Sequence, residues 1–447
     1  MPFLYRSLVA LVVILAGTSA TSVASAQGRI VTRLFWQDDE SVTVRCADLR
    51  KSSEGWSLEV QPIGGLPFLD QTDQSLVQMR CHDGVLLVGV RDADDGNLGS
   101  GWMAIETGVT EEPHGDHSHW SYRGEPAVIR SKIDTTQGNP AHVYLSRDHF
   151  VIANDKRNGF TLTSAERLRH AASADDAAEF IEGGQGHITL AVDPRRVAYA
   201  TWIDSAGEHA GQVDVVGLGK NRGRSYAFRC PTGSLHGAAL VGDRAFFAPA
   251  DGICWVDVDP QVTRGPDSVV VHHLSLGTDD NSPRRTGAFA ATRSHLVFTT
   301  GRTKERRLHW IDATADAPEV RSLDLPDAAG VAITTPMLVE SGSGGTTAWI
   351  FAESKEDPTI DQVHCVQLDP NRDGDFSDAA VLGSIPVGPS QIRGHSGHHS
   401  VAPLPDGRHI LVANPGDGSF QIVHLNKRKV VATLDAGGTP TRLLSVR

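Results

Sequence analysis

The sequence predicts an all-β protein, and the architecture it favours is a single β-propeller. Three observations support this fold class. Short apolar strands recur along the chain at a steady spacing, Gly, Asp and Asn residues provide the turns between them, and helical periodicity is almost absent. Short, evenly spaced strands with such turns are typical of propeller blades, each of which is a small antiparallel sheet.

The repeating unit is an apolar strand, a turn, a β-rich strand, a polar loop and a further strand. Residues 142–145, 150–153 and 159–162 form one copy, and residues 187–190, 196–200 and 212–215 form the next. Counting such groups predicts about eight blades, with seven as the fallback because the first group is weakly patterned.

The ends of the chain predict how the ring closes. Residues 441–446 have the pattern of a lone innermost strand. We expect it to pair with N-terminal strands around residues 30–34 and 42–44, which removes an open sheet edge. The one helical segment, residues 164–180, begins at a Ser164 cap and is expected to be an insertion.

The first 26 residues have the pattern of a secretory signal peptide. Arg6 supplies the charged start, residues 8–15 the apolar core, and residues 24–26 the small-residue cleavage site. The apolar run is too short to span a bilayer, and no later segment is long enough. We therefore expect residues 1–26 to be a signal peptide and residues 27–447 to be one propeller domain, exported to the periplasm without membrane insertion.

The composition narrows the class of partner. The formal net charge is −13, and the acidic residues are spread along the chain. Nucleic acid needs a basic surface, so we expect no nucleic-acid partner. An acidic protein suits the handling of cations or the docking of a basic partner.

The five cysteines fit an oxidising compartment, and their odd number leaves at least one without an intramolecular partner. Our preferred disulfide is Cys230 with Cys254, which closes a short loop; Cys46 with Cys81 is the other pair considered. Cys365 lies in a strand-like run and is expected to be a buried free thiol.

The segment His114-Gly115-Asp116-His117-Ser118-His119 carries three imidazoles and one carboxylate. These are ligands that zinc accepts, and four such donors complete a tetrahedron. The flanking Pro and Gly residues favour a loop, so we predict a mobile His-rich loop over residues 110–124. A solvated polar loop with incidental histidines is the alternative.

Histidines also open the innermost strands of several repeats: His142, His187, His236 and, in the last repeat, His399. Equivalent positions on innermost strands form a ring at the mouth of the axial channel. Adjacent repeats therefore predict a zinc site with its fourth position open or filled from elsewhere. The alternative is that these histidines are polar plugs hydrogen-bonded to the backbone.

Three aspartates on the linking loops of that face extend the prediction. Asp155, Asp204 and Asp251 are each expected either to supply a carboxylate ligand or to orient a ligand histidine.

A separate acidic segment runs from Asp369 to Asp378. Oxygen donors stand at alternate positions, Asp369, Asn371, Asp373 and Asp375, with Gly374 at the sixth, as in the first half of a calcium loop. The twelfth position is Ala380, so the bidentate glutamate of that pattern is missing. A structural calcium ion and a plain acidic turn both remain open.

Catalytic motifs are missing from the sequence. It contains no GxSxG elbow, no HExxH and no phosphate-binding glycine loop. No nucleophile stands at a recognisable spacing from a base. We therefore predict that the protein is not an enzyme.

Taken with the signal peptide and the repeats, three segments resemble the AztD-like periplasmic zinc metallochaperones. They are residues 114–120, residues 139–143, and residues 230–252 with His236 at their centre. The resemblance covers most of the mature chain. The calcium-like segment and the cluster His395-Ser396-Gly397-His398-His399 have no match in that family.

The resemblance implies a β-propeller that binds Zn²⁺ and passes it to the solute-binding protein of a zinc ABC importer. It implies that His114, Asp116, His117 and His119 form a mobile capture or transfer element. The propeller site would then fall on His142, His187 and His236. We expect such a protein to act as a monomer.

The leading hypothesis is therefore zinc binding and transfer without covalent chemistry. A metal-dependent exported propeller hydrolase or lactonase is the second hypothesis, with the axial metal activating water. A non-catalytic interaction propeller, in which the histidines are structural, is the third.

Overall fold

A computed structural model describes residues 28–115, 117–301, 304–340 and 345–447. Over these ranges the chain is almost entirely β-structure, as predicted. The predicted signal peptide lies outside the described residues. Neither of the α-helices in the described ranges has the length and hydropathy needed to cross a bilayer.

The described residues form eight propeller blades, each a small antiparallel sheet whose strands follow one another outward from the axis. Blade 1 contains β1 (Arg29–Asp38), β2 (Thr43–Lys51) and β3 (Trp56–Gln61), with β37 (Pro440–Val446) as its innermost strand. Blade 2 contains β4 (Gln74–His82), β5 (Val85–Asp92), β6 (Ser100–Glu106) and β9 (Ala127–Asp134). Blade 3 contains β10 (Pro140–Ser146), β11 (His149–Asn154), β12 (Gly159–Ser164) and β13 (Glu179–Glu182).

The next three blades repeat the pattern. Blade 4 contains β14 (Leu190–Asp193), β15 (Val197–Thr201), β16 (Gln212–Gly217) and β17 (Gly223–Arg229). Blade 5 contains β18 (Ala238–Val241), β19 (Arg244–Phe247), β20 (Gly252–Asp257) and β21 (His272–Ser275). Blade 6 contains β24 (Ala290–Ala291), β25 (His295–Thr300), β26 (Arg307–Asp312) and β27 (Arg321–Asp324).

Blade 7 is the irregular one, because its innermost position is shared by two short strands. These are β28 (Ala332–Ile333) and β29 (Met337–Glu340), followed outward by β30 (Thr346–Glu353), β31 (Gln362–Gln367) and β32 (Ala380–Pro386). Blade 8 contains β33 (Ser400–Pro403), β34 (His409–Asn414), β35 (Ser419–His424) and β36 (Lys429–Asp435).

The predicted closure of the ring is confirmed. Strand β37 pairs antiparallel with β1, so that Asp38 lies opposite Pro440 and Arg33 opposite Val446. The C-terminal strand thus completes the first blade. This pairing leaves the innermost edge of blade 1 no more open than that of any other blade.

The core lies in the seams between neighbouring blades. At the seam between blades 8 and 1, for example, the edge of Trp36 meets the Phe420 ring, with the ring centroids 5.2 Å apart. The second strand of a blade is buried on both faces, as in β5 and β15, whereas the outermost strand β36 alternates between half-buried and exposed residues. Solvent exposure thus increases from the second strand of a blade to its outermost strand.

Insertions interrupt the blades at several connections. A hairpin of β7 (Thr110–His114) and β8 (His117–Ser121) stands between β6 and β9. The helix predicted within residues 164–180 is instead two short helices, α1 (Ala165–His170) and α2 (Ala174–Ala177), and the end of that range belongs to β13. The predicted cap is confirmed, because the Ser164 side chain accepts a hydrogen bond from the backbone N–H of Arg167. A small pair, β22 (Thr278–Asp279) with β23 (Ser282–Pro283), follows blade 5, and short 3-10 turns lie at Pro266–Ser268 and Pro358–Ile360.

The predicted disulfide is not present. All five cysteines are free thiols, and Cys230 and Cys254 are buried neighbours in the seam between blades 4 and 5. The hydrogen bond between these two thiols, together with burial, raises the pKa of Cys230 well above its usual range. Because the thiolate is the form that undergoes disulfide exchange, a raised thiol pKa lowers the reactivity of Cys230. Cys46 and Cys81 are likewise unpaired.

Candidate metal centre at the channel mouth

Three of the four predicted axial histidines come together at one end of the channel. His142 belongs to the start of β10, and His187 and His236 immediately precede β14 and β18, the innermost strands of the next two blades. The Nε2 atoms of His142 and His187 are 3.0 Å apart. The His187 and His236 rings are stacked with their centroids 4.8 Å apart. We call these three residues the mouth cluster.

Asp155 holds the middle histidine of the mouth cluster in one tautomer. It lies in the turn after β11, where one of its carboxylate oxygens accepts from the Ile188 backbone N–H at 3.2 Å. The other oxygen is 3.1 Å from Nδ1 of His187. An ionised carboxylate can only accept, so His187 carries its proton on Nδ1 and presents the lone pair on Nε2.

A backbone carbonyl does the same for His236. Nδ1 of His236 lies 2.8 Å from the carbonyl oxygen of Gly287, which comes from the segment leading into blade 6. A carbonyl accepts but cannot donate, so Nδ1 again carries the proton and Nε2 is left as the donor atom for a ligand. Fixing a tautomer through the second ring nitrogen is how proteins prepare a histidine for metal coordination.

The spacing of the first pair suits a small tetrahedral ion. Two nitrogens bound to one tetrahedral zinc at ~2.0–2.1 Å would be about 3.3 Å apart. The Nε2 atoms of His142 and His187 are within a few tenths of an ångström of that separation. A metal ion would replace the proton that now joins these two nitrogens.

The surroundings of His142 keep its imidazole neutral. Desolvation lowers the pKa of His142 well below its usual range, and His187, His236, Arg442 and Arg80 lower it further. Only a neutral imidazole has a lone pair for a metal. The ring is therefore neutral at neutral pH, as metal coordination requires.

The mouth cluster is not yet a closed coordination sphere. Among the residues that the structure describes, no three His, Cys, Asp or Glu side chains are already oriented around one metal position. The reason is visible in the geometry, because the rings of His187 and His236 are stacked at 26° instead of converging. Binding a metal at this site requires the ring of His236 to rotate.

Three predicted residues are not brought to the mouth cluster. Asp204 accepts hydrogen bonds from the backbone N–H groups of Gly207 and His209 in its own turn. Asp251 accepts from the Thr232 hydroxyl at 2.6 Å and lies 3.2 Å from Nε2 of His273, on the outermost strand of blade 5. His399 is buried, and its two ring nitrogens are bonded to a carboxylate oxygen of Glu353 and to the carbonyl of Gly388, both at 2.8 Å. Neither nitrogen of His399 is available to a metal, so this histidine has a structural role in the channel wall.

A different histidine of the last repeat interacts electrostatically with the mouth cluster. His395 is exposed at a tight turn between Arg393 and Ser396. Partial burial lowers the pKa of His395, and the charges of His236 and His187 lower it further. In the sequence, His395 was noted only as a neighbour of His399. His399 was predicted as a ligand because it stands at the start of an innermost strand, and that rule does not apply to a residue in a turn.

The adjacent Glu353 shows why the last repeat differs. Its carboxylate is 2.5 Å from Nδ1 of His398 and is 2% exposed. Burial alone would raise the pKa of Glu353, but the hydrogen bonds from His398 and His399 outweigh burial and lower the pKa to about 2. This carboxylate comes from β30, far away in sequence, so the chain pattern alone gave no signal of it.

The His-rich segment is a β-hairpin and not the loop that the sequence predicted. His114 lies opposite His117 in the register of β7 and β8, and Glu112 lies opposite His119. Gly115 takes φ +66 at the tip, a conformation that favours glycine. The His114 and His119 rings are 5.5 Å apart between centroids. Asp116 and the side chain of His117 lie outside the described part of the structure.

This hairpin lies at the opposite face of the propeller from the mouth cluster. The hydroxyl of Tyr122, just after β8, donates to the carbonyl of Val31 at 3.3 Å, and Arg33 donates to the Tyr122 carbonyl at 2.7 Å. Arg33 pairs with Val446, at the far end of β37 from the mouth. A seven-residue innermost strand spans roughly 20 Å. Direct metal transfer between the hairpin and the mouth cluster of one molecule is therefore not supported by the fold.

The calcium-like segment also lies away from the mouth cluster. It connects β31 to β32 on the outer side of blade 7, at the same face of the propeller as the hairpin. It is thus a separate acidic feature and contributes nothing to the axial site.

The fold and the site together define a class of molecule: an eight-bladed β-propeller with a histidine cluster at one mouth of its channel. No family model matches the chain, and no curated protein matches it. Among solved structures, AztD from Citrobacter koseri has a TM-score of 0.62 and 14% identity, over 94% of this chain and 98% of AztD. The predicted resemblance to AztD is confirmed at the level of the fold.

Two further structures share the architecture with lower similarity. The dihydro-heme d1 dehydrogenase NirN has a TM-score of 0.52 and 10% identity, over 94% of this chain and 76% of that one. A Bacteroides uniformis protein provisionally described as a 6-phosphogluconolactonase has a TM-score of 0.50 and 12% identity, over 94% of this chain and all of its own. Similarity at this level of identity describes the fold alone.

Proposed function

We propose that this protein binds Zn²⁺ at the mouth cluster and hands it to the solute-binding protein of a zinc ABC importer, without catalysing a covalent reaction. The observation that carries the proposal is that two of the three histidines are held in the same tautomer. His187 is held by Asp155 and His236 by the Gly287 carbonyl, each with Nε2 left as the lone-pair atom. Structural plugs need no such common tautomer.

The chemistry of the donor set favours zinc. Three neutral imidazoles suit a borderline ion such as Zn²⁺ and give the open tetrahedral site that a transferable ion needs. The proposal takes the fourth nitrogen from His395, an exposed histidine whose pKa is lowered by burial and by His236 and His187. A ligand on an exposed turn can leave first when a partner protein competes for the ion.

The fold of AztD adds support from outside the site, since the sequence also resembles that group of zinc metallochaperones. The proposal includes export to the periplasm by residues 1–26 and action as a monomer. It assigns capture at the opposite face to the hairpin residues His114, Asp116, His117 and His119, as a second site that exchanges zinc with solvent and not with the mouth cluster.

Competition titration against a chromophoric zinc chelator tests the binding step. The mature protein with His142, His187 and His236 all changed to Ala should lose its tightest zinc site. His149→Ala is the matched control, because that histidine starts β11 at the opposite face of the same blade. If the triple variant kept the tight site, zinc binding at the mouth cluster would be wrong.

Transfer is tested separately. Zinc-loaded protein is mixed with a zinc-free importer binding protein, and movement of the ion is followed by separation and elemental analysis. We expect transfer faster than spontaneous release into chelator. Equal rates would leave zinc binding intact but contradict the delivery step.

A metal-dependent lactonase or hydrolase is the second candidate, and one observation favours it. Arg80 and Arg442 lie close enough to His142 to lower its pKa, so the channel also offers positive charge for an anionic substrate. A zinc ion at the mouth cluster could then activate water. Assays of the zinc-loaded protein with phosphorylated and unphosphorylated lactones distinguish the two candidates, and we expect no turnover above that of the triple variant.

A further inference from the structure

The connection between β31 and β32 has the spacing of a calcium-binding loop. Side-chain oxygens recur at Asp369, Asn371 and Asp373, Gly374 follows at the sixth position, and the chain returns to a strand at Ala380. Gly374 takes φ +85, the left-handed conformation that the sharp turn of such a loop requires.

The first aspartate of this loop is buried and only half satisfied. Asp369 is 8% exposed. Its Oδ2 accepts from the backbone N–H of Gly374 at 3.1 Å, so the carboxylate points into the loop. Its Oδ1 is buried and has no hydrogen-bond partner. A buried, unpaired carboxylate oxygen is strongly unfavourable unless a cation or a donor completes its surroundings.

We propose that this loop binds Ca²⁺. Asp369, Asn371 and Asp373 supply side-chain oxygens, Asp375 supplies its backbone carbonyl, and Ser377 supplies its hydroxyl or a bound water, following the odd positions of a calcium loop. The ion fills the space at Oδ1 of Asp369. Only oxygen donors take part, which suits a hard cation and not zinc.

The side chain of Asp375 agrees with this assignment. It lies 3.4 Å from a guanidinium nitrogen of Arg321, on the outermost strand of blade 6. The seventh position of a calcium loop ligates through its carbonyl, so its side chain is free to pair elsewhere. Coordination breaks the 3.0 Å bond between Nδ2 of Asn371 and Oδ2 of Asp373. The backbone N–H groups of Asp373 and Asp375 already hold the side chains of Asn371 and Asp373 in the loop.

The missing twelfth ligand determines the calcium affinity that we expect. Ala380 stands where a glutamate would bind in bidentate fashion, so the site is incomplete and weak. Dissociation constants of calcium sites in extracellular modules are about 10⁻⁴–10⁻³ M, and we place this loop in that range.

Calcium at this loop would reinforce the seam between two blades. Phe376 is buried and stacks on His295 of β25, with the ring centroids 3.9 Å apart. The Arg321–Asp375 pair crosses the same seam. Ordering the loop around an ion would therefore fix these two contacts between blades 6 and 7.

Thermal unfolding of the zinc-free mature protein tests the proposal. A calcium concentration of tenfold the dissociation constant should raise the folding equilibrium constant about elevenfold and raise Tm measurably. Asp373→Asn replaces an exposed carboxylate ligand with a neutral amide and should strongly reduce the rise, as should Asp369→Asn. Asp417→Asn is the matched control, because Asp417 forms a similar turn by accepting from Ser419 but has no such cluster.

Terbium luminescence supplies an independent readout. Trp310 lines the same cleft as Asp375, so Tb³⁺ in the loop should show emission excited through tryptophan, displaced by Ca²⁺ and lost in Trp310→Phe. An unchanged Tm in calcium, or a calcium-dependent rise that persists in both Asp369→Asn and Asp373→Asn, would overturn the proposal. Neither result bears on zinc at the mouth cluster.

Discussion

At the scale of single residues, the mouth cluster depends on groups that are not themselves ligands. Asp155 bonds both to Nδ1 of His187 and to the Ile188 backbone, so it fixes the ring and the strand entry together. Removing such a partner typically lowers metal affinity 10–100-fold. Asp155 is therefore the residue whose change separates the proposed site from a set of incidental histidines.

We predict that Asp155→Asn lowers zinc affinity by about 10–100-fold without unfolding the protein. The amide can still accept from the Ile188 N–H, but it no longer favours a proton on Nδ1 of His187. Chelator competition measures the change. Asp204→Asn is the control, because Asp204 accepts from the amides of its own turn at the equivalent place in blade 4. Equal affinities for the two variants would contradict the positioning role.

Two buried histidines give the protein a pH-dependent stability that is unrelated to zinc. His309 and His364 are buried, and desolvation lowers the pKa of each to about 4. One ring nitrogen of each, Nδ1 of His309 and Nε2 of His364, has no hydrogen-bond partner. Both rings are therefore neutral in the folded protein and must take up a proton on unfolding below pH ~6.5.

The sign of the effect follows from the lowered pKa. The stabilisation is fully present above the unfolded value of 6.5 and is lost as pH falls from there toward 4, by about 3 kcal/mol for each histidine at most. We predict that His364→Gln is less stable at neutral pH and has a shallower loss of stability between these values. Denaturant unfolding across the pH range checks the slope, and an unchanged slope would contradict it.

The sequence predicted those site residues that recur at the same position of successive blades. His142, His187 and His236 were predictable because consecutive blades place them at equivalent points of one strand. His399 obeyed the same rule but is buried against Glu353, whose carboxylate arrives from another blade. Contacts between residues of neighbouring blades are tertiary contacts, and the repeat pattern of the sequence does not predict them.

At the scale of elements, the hairpin β7–β8 shows how local chemistry misled the prediction. Pro113 and Gly115 suggested a mobile loop, but cross-strand pairing from Thr110 to Ser121 and the packing of Trp120 and Tyr122 on the core make a defined hairpin. Apolar residues just beyond the histidines held the information. They were visible in the sequence, but the buried cluster against which they pack includes Val446 from the other end of the chain.

The position of the hairpin leads to a prediction about the number of sites. His114→Ala with His119→Ala should remove a weaker zinc site and leave the tight site within twofold of its original affinity, because the two lie at opposite faces. Isothermal titration resolves the two sites. Loss of the tight site in this variant would require the hairpin to reach the mouth cluster, which the fold does not support.

At the scale of the whole molecule, the propeller depends on one strand from the far end of the chain. Strand β37 supplies the innermost position of blade 1, and Thr439 donates from its backbone to Asp38 at 2.8 Å. This closure was predictable, because a lone apolar strand at the C-terminus and unmatched strands at the N-terminus need each other. The division of the innermost strand of blade 7 into β28 and β29 was not predicted, because the repeat pattern gives each blade a single innermost strand.

We predict that removal of residues 440–447 lowers Tm and broadens the unfolding transition, because it opens an edge on blade 1 and exposes Leu34 and Trp36 of the core. Removing Arg447 alone, an exposed residue, is the control. Differential scanning calorimetry of the two truncated proteins measures the difference. Identical transitions would mean that β37 is dispensable for closure.

The most direct measurement is the position of the metal itself. Zinc-edge anomalous diffraction from crystals of the zinc-loaded mature protein should give its strongest peak ~2.0–2.1 Å from Nε2 of His142, His187 and His236. The Nδ1 atoms of His187 and His236 should remain bonded to Asp155 and Gly287. A strongest peak at the hairpin, or none within coordination distance of the three Nε2 atoms, would contradict zinc binding at the mouth cluster.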